Sequence, residues 1–345
     1  MNQTRPWLLP FAWIYAAAVW IRNKCFDAGI FGSESPSGKT VVIGNLSLGG
    51  TGKTPHADYI LSLLDPFKTA LLSRGYGRQT KGFRTVTKNS NPFEVGDEPL
   101  LLASRHPEAV VAVCEDRLSG LAKLKKLFPE KELTVLDDAF QHRKLRGGLN
   151  ILLTTWRLPF TDDYCLPAGS LRDHKVRARD AHAIVVTKTP KSATPAERAE
   201  KAAAMEYLKV PVFFSNIIEG RVVHFAGPGY ASAESLPNIL LVSAIADADL
   251  FEAEARKQFP VKGHFKYRDH HRFTGADLQR IRNFIGSFAP GSAGVLTTEK
   301  DAVRFMPLVK SAEFEKIPMY YKEIAVDFGS DTALFNKLIT DYAQS

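Results

Sequence analysis

The chain has little cysteine, no long unbroken apolar run and no internal repeat. Only three of its 345 residues are cysteine, Cys25, Cys114 and Cys165, and none stands in C-x-x-C spacing. That scatter excludes a disulfide framework and a zinc knuckle, and it suits a reducing compartment. The stretch LLPFAWIYAAAVWI at residues 8–21 carries no charge, yet it falls short of the roughly 18 to 20 apolar residues a spanning helix needs. Low-complexity tracts are missing, and with 45% hydrophobic and 24% charged residues no long disordered span is expected.

What is present begins with charge. A formal net charge of +8 favours an acidic partner: nucleic acid, phosphorylated substrate or anionic lipid. The chain shows no aromatic and basic platform of a nucleic-acid module, so nucleic acid is not expected. Trp7, Trp13, Tyr15 and Trp20 lie in or beside the amino-terminal apolar stretch, and Arg5, Arg22 and Lys24 flank it. This pattern predicts a helix lying at the lipid headgroup level, with a buried helix or a cleaved signal peptide as alternatives. A nucleotide loop so soon afterwards argues against export.

TVVIGNL at residues 40–46 reads as a buried strand, and TPHADYILSLL at 54–64 as a helix opening on Thr and Pro. Between them lies SLGGTGKT. It departs from G-x-x-x-x-G-K-[ST] by having Ser47 at the first glycine position, but Gly49, Gly50, Thr51 and Gly52 still form a turn whose amides can face phosphate oxygens. Lys53 is then placed for the β- and γ-phosphates of ATP, and the Thr54 hydroxyl for magnesium.

Further apolar strands alternate with helices at residues 69–73, 109–113, 133–138, 149–155 and 181–188. The alternation predicts an α/β fold with a P-loop-type doubly wound parallel sheet, whose ligands bind at the carboxyl ends of the strands. The strand LTVLDD delivers Asp137 and Asp138 to that edge, as a magnesium site beside a phosphate loop requires. VFFSNIIEGRVVHFAG predicts a hairpin turning at Glu219-Gly220, a two-stranded β-ribbon. The expected division is an interfacial helix over 1–30, a nucleotide domain over 31–211, the ribbon over 212–227 and a smaller α/β domain over 228–345.

In order along the chain stand GNLSLGGTGKTP, SRGYGR, GDEPLLLA, DDAFQHR, LPAGSLRD, RDHHRF and TTEKDAVRF. Together they resemble the tetraacyldisaccharide 4'-kinase family, which phosphorylates a lipid A precursor at the cytoplasmic face of the inner membrane. One departure is Ala139, where the family usually has glycine. The resemblance implies a glycolipid substrate, a tetraacyldisaccharide 1-phosphate, with ATP and Mg2+ as cofactors. It also implies that Asp97 and Glu98 are the catalytic and metal-organising acids, that Asp137, Asp138 and His142 form the magnesium side, and that His270 pairs with Asp97, His271 being the lesser candidate. A carboxylate orienting an imidazole makes a base near neutrality for a sugar hydroxyl. Arg74, Arg117 and Arg172 are candidates to clamp ATP or lipid phosphate, and Tyr76 to pack on sugar or acyl chain. Glu299, Lys300 and Asp301 read as an ion-pair network capping a helix.

A membrane-associated switch ATPase is the alternative. Its loop often carries a lysine where this chain has Leu48, and it has no need of a second domain bearing Asp-His-His.

Overall fold

The computed structural model describes residues 5–36, 38–65, 68–227, 232–269, 271–309 and 316–345. Its strands are β1 (Lys39–Asn45), β2 (Thr69–Ser73), β3 (Arg84–Val86), β4 (Val110–Val113), β5 (Leu133–Asp137), β6 (Leu149–Thr155), β7 (Ala183–Thr187), β8 (Val212–Phe214), β9 (Asn216–Ala226), β10 (Asn238–Ser243), β11 (Val261–Lys266), β12 (Ala293–Thr298) and β13 (Met319–Asp327). Its helices are α1 (Leu9–Asp27), α2 (Lys53–Leu63), α3 (Pro92–Val95), α4 (Asp97–Arg105), α5 (Arg117–Leu127), α6 (Pro195–Ala203), α7 (Ala248–Gln258), α8 (Gly275–Ile285), α9 (Glu299–Phe305) and α10 (Thr332–Gln344).

Eight strands form the first sheet in the order β3-β4-β2-β5-β1-β6-β7-β8. Every pairing in it is parallel except that of β3 with β4. The central strands β1, β2 and β5 are buried almost end to end, which is why they read as continuous apolar runs. Val41 and Ile43 pack with Ala57 and Ile60 of α2 and Leu102 of α4 on one face, while Val42 and Leu136 meet Leu124 of α5 on the other. β5 and β2 lie to one side of β1 and β6 and β7 to the other, so the strand order reverses at β1. The carboxyl end of β1 is therefore the crevice where such sheets bind ligands.

The second sheet, ordered β11-β10-β12-β13-β9, is parallel apart from the β13–β9 pair. The expected hairpin at Glu219-Gly220 does not form. β9 runs straight through both residues and pairs antiparallel with β13, with a register shift at Lys322/Ile324 opposite the glycine. A Cβ on Gly220 would come within 2.9 Å of Glu323 Cβ, so this glycine serves close approach of two strands and not a turn. In place of a local ribbon over 212–227, β8 joins the first sheet beside β7, and β9 pairs with β13, about a hundred residues further along the chain.

The chain enters the second lobe along β9 and leaves it along β13. Where a second unit running to residue 345 is expected, α10 instead returns to the first lobe: Phe328, Phe335 and Ile339 are buried in the same core as Val41 and Ile60. The rings of Phe328 and Phe335 stack at 4.1 Å.

Among the described residues no helix is long and apolar enough to cross a membrane. Nor is α1 a buried helix. Trp13 and Ile14 are each 69% exposed, and Trp7, Phe11, Trp20 and Ile21 are exposed beside them. Its opposite side docks on the first lobe, where Asn23 Nδ2 donates to Asp173 Oδ1 at 2.7 Å and the Tyr15 hydroxyl to the Arg172 carbonyl at 2.9 Å.

Candidate active site

The glycine-rich turn leaves the carboxyl end of β1 and opens α2. Gly49 and Gly52 hold φ of 109° and 83°, backbone that a side chain disfavours. Gly52 is the N-cap of α2, and its carbonyl contacts His56 Nδ1 at 2.7 Å while Nε2 meets Ser215 Oγ at 2.8 Å. Burial lowers the pKa of His56 to about 4, so it is a neutral strut under the turn. Thr51 is buried and Thr54 half-buried.

Four side chains converge in front of this turn. Lys53 Nζ lies 3.6 Å from Asp138 Oδ1 and 3.4 Å from Asn45 Oδ1. Arg172 Nη2 reaches the same two oxygens, Asp138 Oδ1 at 3.1 Å and Asn45 Oδ1 at 2.6 Å. Asn45 Nδ2 donates to Thr51 Oγ1 at 2.9 Å. Asn45 is thus the hub of the cluster, although nothing in the sequence marked it beyond its place at a strand end. Against the cost of burial, Lys53 and Arg172 hold the Asp138 carboxyl below its usual range.

Asp137 differs from its neighbour. It is buried, accepts from Ser73 Oγ at 3.3 Å through Oδ2, and its Oδ1 has no hydrogen-bond partner. Burial, with the charges of Glu98 and Asp138 adding to it, pushes its pKa up to about 7. A buried carboxylate oxygen without a hydrogen-bond partner, beside a second acid, fits a divalent cation. Among the described residues no group of three or more His, Cys, Asp or Glu side chains gathers as a metal cage, and a phosphate-bound magnesium needs only one or two carboxylates.

Other expected residues fall elsewhere. His142 lines a cavity of about 500 Å³ with Arg143, Arg146 and Arg177, its Nε2 without a hydrogen bond. Burial and then the charge of Arg117 lower its pKa. Arg117 is buried, and its guanidinium donates to the backbone carbonyls of Cys114, Glu115, Asp137 and Asp138; it brackets the acidic turn from behind. Asp138 itself has φ of 49°, so that turn is tight even with Ala139 in place of glycine. Arg74 and Tyr76 are exposed on the loop after β2.

Asp97 and Glu98 open α4. Arg304 of α9 donates Nε and Nη2 to Asp97 Oδ2 at 2.8 and 2.6 Å, and Lys300 Nζ lies 3.2 Å from Glu98 Oε1. Thr298 is the N-cap of α9, its Oγ1 accepting from the Asp301 amide, while Lys300 and Glu299 reach across to the first lobe, Glu299 to Arg105. His270 lies outside the described residues. His271 is engaged within its own lobe, 3.0 Å from Asp277 Oδ2 and stacked on Tyr267. Arg272 lies over the ring of Phe93, 5.1 Å from its centroid.

A profile of the family described as tetraacyldisaccharide-1-P 4'-kinase matches residues 4–344. The chain belongs to this family. A tetraacyldisaccharide 4'-kinase from Phocaeicola vulgatus is 36% identical, over 98% of this chain and 95% of that protein. One from Bacteroides fragilis is 38% identical over 87% and 82%. The crystal structure of LpxK from Aquifex aeolicus in complex with ATP superposes with a TM-score of 0.75 at 27% identity, covering 97% of this chain and 98% of that one. As a member of the tetraacyldisaccharide-1-P 4'-kinase family the chain is a phosphotransferase with a hydroxyl acceptor.

Proposed function

We propose that the chain transfers the γ-phosphate of ATP to the 4'-hydroxyl of a tetraacyldisaccharide 1-phosphate, with magnesium, at the cytoplasmic face of the inner membrane. The observation that carries this reading is the convergence of Lys53 and Arg172 on Asp138 at the switch point of the sheet. Two cations held by a single carboxylate form a cradle that a polyphosphate can enter by displacing the carboxylate. The amides of residues 49–54 complete it at the α2 terminus.

Magnesium would be held by Asp137, Asp138 and Thr54, with Glu98 near them, and it supplies charge neutralisation to the phosphates and the leaving oxygen. Lys53 and Arg172 take the charge that spreads over the γ-phosphoryl oxygens. The sugar oxygen forms its bond to phosphorus as the bond from phosphorus to the β-phosphate oxygen breaks, and ADP departs. The hydroxyl proton passes to the base, for which the pair of Asp97 and His270 is proposed, the carboxylate orienting the imidazole. The contact of Arg272 with Phe93 supports the pairing, since Phe93 belongs to α3, the short helix that precedes Asp97. Arg74 and Tyr76, exposed beside the crevice, are proposed to meet the glycolipid. The exposed aromatic side of α1 is proposed to rest in the lipid interface, where Trp and Tyr rings are favoured.

The test is a transfer assay in detergent micelles with γ-labelled ATP, magnesium and the glycolipid, run beside Asp97→Ala and His270→Ala. Label on the lipid, lost in both variants, is expected. Free phosphate without labelled lipid would replace this reading with a switch ATPase.

A further inference from the structure

Helices α4 and α9 come from different lobes and lie against one another. Along their contact stand three ion pairs, Arg105 with Glu299, Glu98 with Lys300 and Asp97 with Arg304. The third differs from an ordinary surface pair. Arg304 is only 8% exposed. Its Nη1 donates to Asp301 Oδ1 at 2.8 Å and to the Ala244 carbonyl at 3.2 Å.

Asp301 is fixed in turn. Its Oδ2 accepts from the Ala244 amide at 2.9 Å and from Thr298 Oγ1 at 2.7 Å. The guanidinium is therefore anchored on one edge by β10's end and the α9 cap before its other edge meets Asp97. Both of the bonds on that other edge fall on Oδ2. With two donors converging on one oxygen, a guanidinium held this way fixes where Oδ2 of Asp97 sits, which the single contact of a mobile lysine does not do. Gly96, with φ of 93°, places Asp97 at the very start of α4, so the side chain depends on partners from outside its own helix for its orientation.

We propose that Arg304 is a positioning residue for phosphoryl transfer: the second lobe places the Asp97 carboxylate through this guanidinium, while Lys300 holds Glu98 more loosely through one contact. The inference rests on the reading of Asp97 and Glu98 as the working carboxylates. It assigns to the second lobe two cations that build the site from behind, beyond anything it presents to the glycolipid. Misplacing a reacting group by about an ångström costs on the order of a hundredfold in rate, which sets the scale of the expected loss.

The experiment compares kcat and KM for ATP and glycolipid in wild type, Arg304→Gln, Arg304→Lys, Lys300→Met and Glu299→Gln, together with Asp97→Asn and the Asp97→Asn/Arg304→Gln double variant. Glu299 belongs to the same helix contact but touches neither acid, so Glu299→Gln reports on lobe docking alone. Arg304→Gln is expected to lower kcat about thirtyfold with KM for ATP within about twofold, and Arg304→Lys to recover part of the loss. Lys300→Met is expected to lower kcat in the same way by a smaller factor. The double variant should be no slower than Asp97→Asn by more than about twofold, because both changes act through one carboxylate. Wild-type kcat in Arg304→Gln overturns the proposal. So does an equal loss in Glu299→Gln that tracks thermal stability, or full multiplication of the two losses in the double variant. Should Arg304→Gln fail to fold, Arg304→Lys and Lys300→Met carry the comparison, and wild-type kcat in both overturns it. A wild type that labels no glycolipid removes the kinase reading itself, an outcome distinct from each of these.

Discussion

The Tyr15 hydroxyl donates to the backbone carbonyl of Arg172, and the guanidinium of that same arginine reaches Asn45 and Asp138. The proposed lipid-facing helix and the proposed phosphate cradle thus share one residue. Arg172 also ties its own amide to the Leu46 carbonyl, in the turn that leads to Lys53.

Removing the exposed rings tests the membrane reading. Trp13→Ser with Trp20→Ser is expected to weaken binding to anionic vesicles by about tenfold or more, since each ring carries apolar area worth a kilocalorie scale. Cosedimentation with vesicles measures it, and transfer to a soluble short-chain acceptor should change little.

Lys53 and Asp138 make opposite predictions for nucleotide binding. Lys53→Met loses a cation from the cradle, while Asp138→Asn releases both Lys53 and Arg172 from a competing carboxylate. Metal-free ATP should bind more weakly to the first and more tightly to the second, as read by calorimetry in chelator. Both variants should lose at least about a hundredfold in kcat, because charge placement is most of phosphoryl-transfer catalysis.

Asp137 makes stability depend on pH. Its folded value near 7 lies above the ordinary 3.8, so the native state holds this proton more tightly than the unfolded chain does. The stability tied to that proton is fully present below the unfolded value and is lost as pH rises toward 7, then levels off. Asp137→Asn stays neutral throughout. Its thermal midpoint should match wild type near pH 4, climb above it as pH increases, and keep a constant lead beyond about pH 7. A lead that is flat across this range would count against the perturbed carboxyl.

Phe335 tests the return of the chain to the first lobe. It is 1% exposed, stacked on Phe328 and edge-on to Phe213. Phe335→Ala is expected to cost about 3–5 kcal/mol in urea unfolding, and to weaken ATP binding through α2, on which α10 rests. Loss confined to the second lobe would contradict the packing.

What the sequence made legible was local. The strand, glycine turn and helix around Lys53 lie within a couple of dozen residues, and an apolar run ending in Asp137-Asp138 announces its own carboxyl edge. What it hid was either ambiguous or distant. Glu219-Gly220 looks like a turn because nothing nearby shows that Glu323 will pass so close that a Cβ on the glycine would meet it at 2.9 Å. Asn45 is an ordinary strand-end residue until Lys53, Thr51 and Arg172 gather on it. The Arg304 to Asp97 bridge joins residues 207 apart, and periodicity holds no record of such a pairing. His142 lies near Asp138 in sequence, yet it lines a cavity with Arg143, Arg146 and Arg177 that no local pattern announces.

The route of the backbone through β9 and out through β13 has a consequence for how this protein is made. The core around Val41 and Ile60 includes Phe328, Phe335 and Ile339, so it remains unfinished while the ribosome is still reading the second lobe. The lobe begun first is completed last. A chain stalled shortly before α10 would present an exposed apolar groove along α2 to chaperones and proteases, even though the inserted second lobe could already have folded.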